Sequence, residues 1–201
     1  MTTLFFVRHA VTAHTGQRLS GWMEGVHLTE EGKKQAQTAA DGLAHVDFEA
    51  IYSSPIDRTM ETARAIAKPH ALPVRVRRGI GEVEYGKWTN RPLKSLMRTK
   101  LWDVVLHHPS AARFPDGESI LEVQDRAVAE VEAIASGHPK GSVCCVSHGD
   151  VIKLIAAHYL GVHIDLYQRI VIGPASVSVI TLTKGGPRVI ALNNCPLSPA
   201  S

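Results

Sequence analysis

The chain of 201 residues is poor in the features that mark several specialised protein classes. It has only three cysteines, Cys144 and Cys145 side by side in the apolar run VCCV and Cys195 close to the end. That spacing builds neither a disulfide framework nor a zinc site, so buried structural thiols are expected at the adjacent pair. No apolar run approaches the roughly 20 residues of a membrane-spanning helix, and the opening MTTLFFVRHA carries no basic stretch ahead of its short apolar run. A cytoplasmic protein without a membrane partner is therefore expected. Charge of one sign is scarce too: a formal net charge of +3 makes no electrostatic case for a nucleic-acid partner. GIGEVEYG lacks the third glycine of a dinucleotide fingerprint, HPKGS is not a phosphate-binding P-loop, and the histidines do not have metal-site spacing. No cofactor and no metal are expected. Internal repeats, low-complexity stretches and an interdomain linker are all missing.

What is present is an ordinary globular composition, 44% hydrophobic and 20% charged, in a chain long enough for one sizeable core. The expectation is one domain over residues 1–192, followed by a loose tail at 193–201, NNCPLSPAS. The run LFFV at 4–7 has no polar alternation, which predicts a strand buried on both faces of a parallel sheet; AIY at 50–52, VCCV at 143–146 and VSVITL at 177–182 are comparable. PVRVRR alternates, with Val74 and Val76 on one face and Arg75 and Arg77 on the other, as in a more exposed strand. TLTKGGPRVIAL reads as an antiparallel edge hairpin across Gly185 and Gly186.

Helical patterns fill the gaps between these strands. EEGKKQAQTAADGLAHV follows Thr29, a good cap with acidic residues in the first turn. SSPIDRTMETARAIAKPH predicts a helix capped by Ser54, with Pro55 at its first position and an end near Pro69. SILEVQDRAVAEVEAIASG places Leu121, Val128, Val131 and Ile134 near one face and stops at Gly137. DVIKLIAAHYLG and HIDLYQRI add two more. Strands alternating with helices define an α/β fold, a three-layer sandwich with a mixed, mostly parallel sheet and helices on both faces. Arg75, Arg77, Arg78, Lys87, Arg91, Lys94, Arg98 and Lys100 face only Glu82 and Glu84 as counter-charges in their stretch, and a solvated surface is favoured over an anion-attracting rim.

Ligands of open α/β sheets bind beyond the carboxyl ends of the strands, so the residues just after each strand carry the functional signal. After LFFV come Arg8 and His9; after AIY, Ser53-Ser54-Pro55 and then Arg58; after VRVRRGI, Glu82; after VCCV, Ser147-His148-Gly149. Histidines, arginines and a carboxylate thus converge on one sheet edge, the parts of a phosphoryl-transfer site that uses no metal. A neutral imidazole attacks phosphorus and splits one difficult displacement into two easier ones. Arginine forks bind phosphate oxygens in pairs, and a carboxyl group protonates the departing oxygen. Glu84 rivals Glu82 as that acid, because in an extended chain the two point to the same side.

These motifs resemble those of the histidine phosphatase superfamily, which includes the cofactor-dependent phosphoglycerate mutases. FFVRHAVTAHT is similar to its phosphohistidine motif, LTEEGKKQA to its first helix, YSSPIDRTMETA to the segment with the second arginine, GEVEYGKW to its acid loop, and VSHGD to its second histidine turn. PDGES at 115–119 matches a stretch common in the phosphatase-like branch. The resemblance implies His9 as nucleophile, Arg8, Arg58 and His148 as the rest of the phosphate pocket, and Glu82, selected by its spacing to Gly86, as acid and base. Thr15, Gly21 and Gly149 are the further substrate-binding positions. Ala10 stands where the family motif usually has glycine, and Thr15 where it usually has asparagine, a role open to Thr15 or His14.

The expected activity is a metal-independent phosphatase acting on a small phosphorylated metabolite. A phosphomutase using the same phosphohistidine is the alternative, disfavoured because the chain is short for the insertion by which classical mutases enclose an intermediate. An inactive phospholigand-binding module is the third reading, and such a module has no need of both His9 and Glu82. Trp22 and Trp88 are candidates for the substrate mouth or for packing. The sequence leaves the oligomeric state open, a homodimer included.

Overall fold

The computed structural model describes residues 1–195. In chain order they form β1 (Thr2–Arg8), α1 (Glu30–Leu43), β2 (Phe48–Ser53), α2 (Asp57–His70), β3 (Val74–Val76), α3 (Leu93–Leu96), α4 (Lys100–His107), α5 (Ile120–Ser136), β4 (Ser142–Ser147), α6 (Gly149–Leu160), β5 (Val177–Thr183) and β6 (Gly186–Asn194). The strands make one sheet in the order β3-β2-β4-β1-β5-β6. β3, β2, β4 and β1 run parallel, while β5 is antiparallel to β1 and β6 antiparallel to β5. The fold is the mixed, mostly parallel α/β sandwich expected.

The period of two along a strand explains why its central runs are apolar throughout. Leu4 and Phe6 of β1, with Val143 and Cys145 of β4, pack into a core shared with Val123, Val131 and Ile134 of α5 and Ile152 and Ile155 of α6. The alternate residues Phe5, Val7, Cys144 and Val146 face a second cluster with Ala40 and Leu43 of α1 and Ala63 and Ile66 of α2. Both cysteines are free and fully buried, and burial raises the Cys144 thiol well above its ordinary pKa and the Cys145 thiol to about 12.

α1 begins as its sequence indicates: the Thr29 hydroxyl accepts from the Gly32 N–H at 3.0 Å, and Gly32, Ala36, Ala39, Ala40 and Leu43 form the buried stripe. A Cβ on Gly32 would lie 2.1 Å from the Val11 carbonyl oxygen, so this glycine lets the helix start press against the loop after His9. β3 is a short, exposed edge strand, and β5 and β6 form the antiparallel edge hairpin.

Several boundaries differ from the sequence reading. α2 starts at Asp57, with Ile56 rather than Ser54 at the cap, because the Ser54 backbone N–H bonds the Val146 carbonyl across the sheet at 3.0 Å and its hydroxyl turns to His148. In α5 Val128, Val131 and Ile134 are buried as expected, but the buried face starts at Ile120 and Val123 and Leu121 is exposed; Ser119 starts the helix through a reciprocal capping box with Glu122. The segment HIDLYQRI forms a 3-10 stretch, Ile164–Arg169, anchored by the buried Tyr167 and by the Asp165 carboxylate, which accepts from the Ser110 N–H at 2.7 Å. Asn193 and Asn194 belong to β6, with the Asn193 side chain accepting from the Gly173 N–H at 2.6 Å, so the loose tail does not begin at 193; its residues 196–201 lie outside the described residues. α3 and α4 were not legible, because their apolar anchors, Leu96 and the Trp88–Trp102 stack, are scattered among basic residues. All eight basic side chains between 75 and 100 are exposed, a solvated surface. Trp88 is buried packing, whereas Trp22 is half-buried beside the acid loop.

Candidate active site

The parallel register brings three strand ends together. Arg8 is paired with Ser147, the His9 N–H bonds the Ser147 carbonyl at 3.0 Å, and Ser54 bonds Val146, so the residues after β1, β2 and β4 meet at one edge. A cavity of about 240 Å³ opens there, with Arg8, His9, Arg58 and Glu82 in its wall.

His9 is buried, and its Nδ1 lies 2.8 Å from the Ala10 carbonyl oxygen. A carbonyl only accepts, so Nδ1 carries the proton and Nε2 keeps the lone pair. Ala10 performs this task without the left-handed backbone that would demand glycine. Burial, then the charges of Arg58 and Arg8, hold the His9 pKa well below the ordinary histidine value, against the raising effect of the Ala10 bond. The ring is a neutral imidazole with its lone pair free of protons.

Arg58, in the first turn of α2, is almost wholly buried. Its Nε donates toward His9 Nε2 at 3.3 Å, and its Nη2 donates to the Gly21 carbonyl at 2.9 Å and toward His148 Nδ1 at 3.3 Å. Since arginine has no acceptor, His148 Nδ1 is unprotonated and its Nε2–H donates to the Ser54 hydroxyl at 2.9 Å. Burial first, then Arg58, hold His148 neutral as well. Arg8 donates from Nη1 to the Ile172 carbonyl at 2.6 Å. Arg8 Nε and Arg58 Nη1 are buried donors with no partner among the described residues, although buried donors are almost always paired. Two charged guanidinium groups therefore hold N–H capacity in reserve at one cavity.

The Glu82 carboxyl sits 3.6 Å from Arg58 Nη2 and 3.5 Å from His148 Nδ1. Burial raises its pKa, Arg58 opposes this, and the nearby charge of Asp150 adds to it. Glu84 is exposed and outside the cavity wall, which separates the two sequence candidates. Of the other expected positions, Thr15 and Gly149 line the cavity, as does His14. The Thr15 hydroxyl accepts from the Thr12 N–H at 3.0 Å, while His14 Nδ1 lies 3.1 Å from the Ser20 hydroxyl. Gly21 is not in the wall; it stands behind it as the acceptor that holds Arg58. His148 is fully buried behind Arg58 and Glu82 rather than on the cavity surface.

His9, Glu82 and His148 offer ligand atoms within 4.8 Å of one another, a cluster that histidine spacing did not announce. The imidazole lone pairs in that cluster face Arg58 N–H groups, so a cation would have to displace a guanidinium to reach them. The sequence reading also missed Ser54 as the partner of His148, and Tyr85, Asp150, Lys153 and Arg18 as cavity residues. Asp150 and Lys153 had a signal, since they lie one and four residues after Gly149 at the start of α6.

The chain matches the histidine phosphatase superfamily (branch 1) over residues 4–195. It is 30% identical over 199 residues to phosphoserine phosphatase 1 of Hydrogenobacter thermophilus, covering 96% of this chain and 92% of that protein. It is 27% identical to the probable phosphoglycerate mutase GpmB of Yersinia pestis, covering 89% and 84%. Among solved structures, Bacillus stearothermophilus YhfR superposes with a TM-score of 0.91 at 26% identity, over 96% of this chain and 98% of that one. With its motifs, sheet order and matched span in agreement, the chain belongs to branch 1 of the histidine phosphatase superfamily.

Proposed function

We propose that the protein is a metal-independent phosphatase of small phosphorylated metabolites, with His9 as the group that takes the phosphoryl. The observation that carries this reading is the pair of unpartnered buried donors, Arg8 Nε and Arg58 Nη1, in the cavity where His9 presents an unprotonated Nε2. A phosphate dianion supplies the acceptors those donors lack, in the paired geometry that guanidinium groups favour.

In the first step His9 Nε2 forms a bond to phosphorus while the phosphorus–oxygen ester bond breaks, and the departing alkoxide oxygen takes the proton of Glu82. In the second, a water oxygen bonds to phosphorus, the nitrogen–phosphorus bond breaks, and Glu82 accepts the water's proton. The raised pKa of Glu82 suits a group that must hold a proton first and accept one later. Arg8 and Arg58 bear on the charge that develops on the phosphoryl oxygens, and neutral His148 forms the polar floor behind them. Thr15 and Gly149 border the substrate's path in the cavity wall.

Likeness to a phosphoserine phosphatase and to a probable mutase keeps two destinations for the phosphoryl group in view, and the cavity of about 240 Å³ suits a small substrate in either case. The test is a screen of phosphorylated metabolites for phosphate release beside a phosphoglycerate mutase assay. Release of phosphate from at least one small monoester, without faster interconversion of phosphoglycerates, is the expected result. Mutase turnover exceeding hydrolysis overturns the phosphatase reading, and binding without turnover of any compound overturns both.

A further inference from the structure

The segment that carries Glu82 is not part of a helix or strand, and among the described residues the one hydrogen bond of the Glu82 side chain is to the backbone next to it, with Oε1 accepting from the Val83 N–H at 3.0 Å, beside the longer ion pair of Oε2 with Arg58 at 3.6 Å. The place of the carboxyl therefore depends on the place of the loop backbone. That backbone is gripped by Arg126 of α5. Arg126 Nη1 donates to the carbonyls of Gly79 at 2.8 Å and Gly81 at 3.0 Å, and Nη2 to that of Glu82 at 2.9 Å. Its Nε and Nη2 also donate to the two carboxylate oxygens of Glu118, at 2.5 and 2.9 Å. All five N–H groups of the guanidinium are thus committed.

Glu118 extends the grip to the far side of the acid. Its carboxylate accepts from the Glu84 N–H at 2.9 Å, and its own backbone N–H donates to the Glu84 carbonyl at 2.9 Å. A Cβ on the preceding Gly117 would lie 2.1 Å from that same carbonyl oxygen, so the two segments touch where only glycine fits. Trp22 completes the enclosure, its indole N–H donating to the Glu82 carbonyl at 2.6 Å. An exposed ion pair contributes little, but this one is bidentate, mostly buried and tied to four carbonyl or amide groups of the loop.

We propose that Arg126, through its ion pair with Glu118, is the positioning residue that aims the Glu82 carboxyl at the leaving oxygen. The inference rests on Glu82 being the acid of the preceding section. A displacement of about 1 Å in a catalytic group can cost about 10²-fold in rate, which is the scale of effect a loosened loop should produce.

The test compares the full-length protein with Arg126→Lys, Trp22→Phe and Glu82→Gln in single-turnover phosphorylation by phosphoserine, an alkyl phosphate, and by p-nitrophenyl phosphate, whose leaving group needs little protonation. Arg126→Lys should slow the alkyl reaction by up to about 10²-fold and the nitrophenyl reaction appreciably less, and hydrogen exchange of the amides of residues 81–84 should rise. Trp22→Phe, which removes the indole donor and part of the ring but keeps an aromatic side chain, should shift both readouts in the same direction and carries the test if Arg126→Lys does not fold. Equal slowing of the two substrates, or unchanged exchange in the loop, overturns the inference while Glu82→Gln keeps its leaving-group selectivity. If Glu82→Gln shows no selectivity, the acid assignment itself falls and the inference with it, and the exchange readout alone then reports whether Arg126 grips the loop.

Discussion

Arg58 points its Nε–H at His9 Nε2 across 3.3 Å, and because the opposite ring nitrogen donates to the Ala10 carbonyl, this lone pair is the one free to act as a base or nucleophile. Next to burial, the guanidinium helps hold the imidazole unprotonated, and its Nη1, which has no partner among the described residues, is a donor in reserve for an anion.

That dual role predicts that charge alone will not replace Arg58. Lysine has one compact ammonium and cannot serve His9, the Gly21 carbonyl and an anion at once. Arg58→Lys should lower kcat by about 10²- to 10³-fold, the usual cost of a lost preorganised donor. Steady-state kinetics check this, and a Lys variant within a few-fold of the parent removes Arg58 from phosphate stabilisation.

Brief mixing with a radiolabelled phosphate ester should leave label on the protein that survives base and is released by acid, as a phosphohistidine does. The label should vanish in His9→Ala. Its persistence there, with the same lability, assigns the phosphoryl group to another residue.

Activity should be unchanged after exhaustive treatment with EDTA, because the guanidinium groups occupy the positive role a metal would fill and already face the histidine lone pairs. The cluster of His9, Glu82 and His148 makes this a demanding test, since its potential ligand atoms lie within 4.8 Å of one another. Loss of turnover in chelator, restored by a divalent ion, refutes the assignment.

Stability should fall on acidification below about pH 6.5. His9 and His148 have lowered pKa values when folded, so between 6.5 and those values the unfolded chain binds more protons than the native one. Each contributes up to about 1.4 kcal/mol per pH unit in that window. Glu82 has the opposite sign: its raised pKa adds stability as pH falls from that value toward 4.5. Two histidines outweigh one carboxyl, so the thermal midpoint should drop between pH 7 and pH 5, and His9→Asn should flatten the slope. A midpoint that rises over this range contradicts the neutral-histidine assignment.

Sequence pattern went furthest where one local cause sets the structure. Thr29 and the small-residue stripe of α1 place that helix without tertiary information, and apolar runs such as VCCV follow from strands covered on both faces. On α5 the periodicity places Val128, Val131 and Ile134 on the buried face, where they lie, and fails only at Leu121 in the first turn, where the Ser119–Glu122 box starts the helix and Ile120 and Val123 turn inward instead. Serine before proline has a local preference for the helix cap, and at Ser54 a contact with a histidine 94 residues away overrides it.

The sequence by itself determined which residues arrive at the sheet edge, since Arg8-His9, Ser147-His148 and the Arg58 segment each follow directly on a strand whose apolar run announces it. Tertiary structure decided what those residues are. The parallel packing of β2, β4 and β1 puts Arg58 between two histidines, burial together with the neighbouring arginine charges holds both imidazoles neutral, and the Arg126–Glu118 pair with Trp22 grips the loop that carries Glu82, which lines the cavity where Glu84 does not. The physical reason is that protonation state and aim depend on the dielectric and the neighbours around a group, and those neighbours come from segments far apart in the chain.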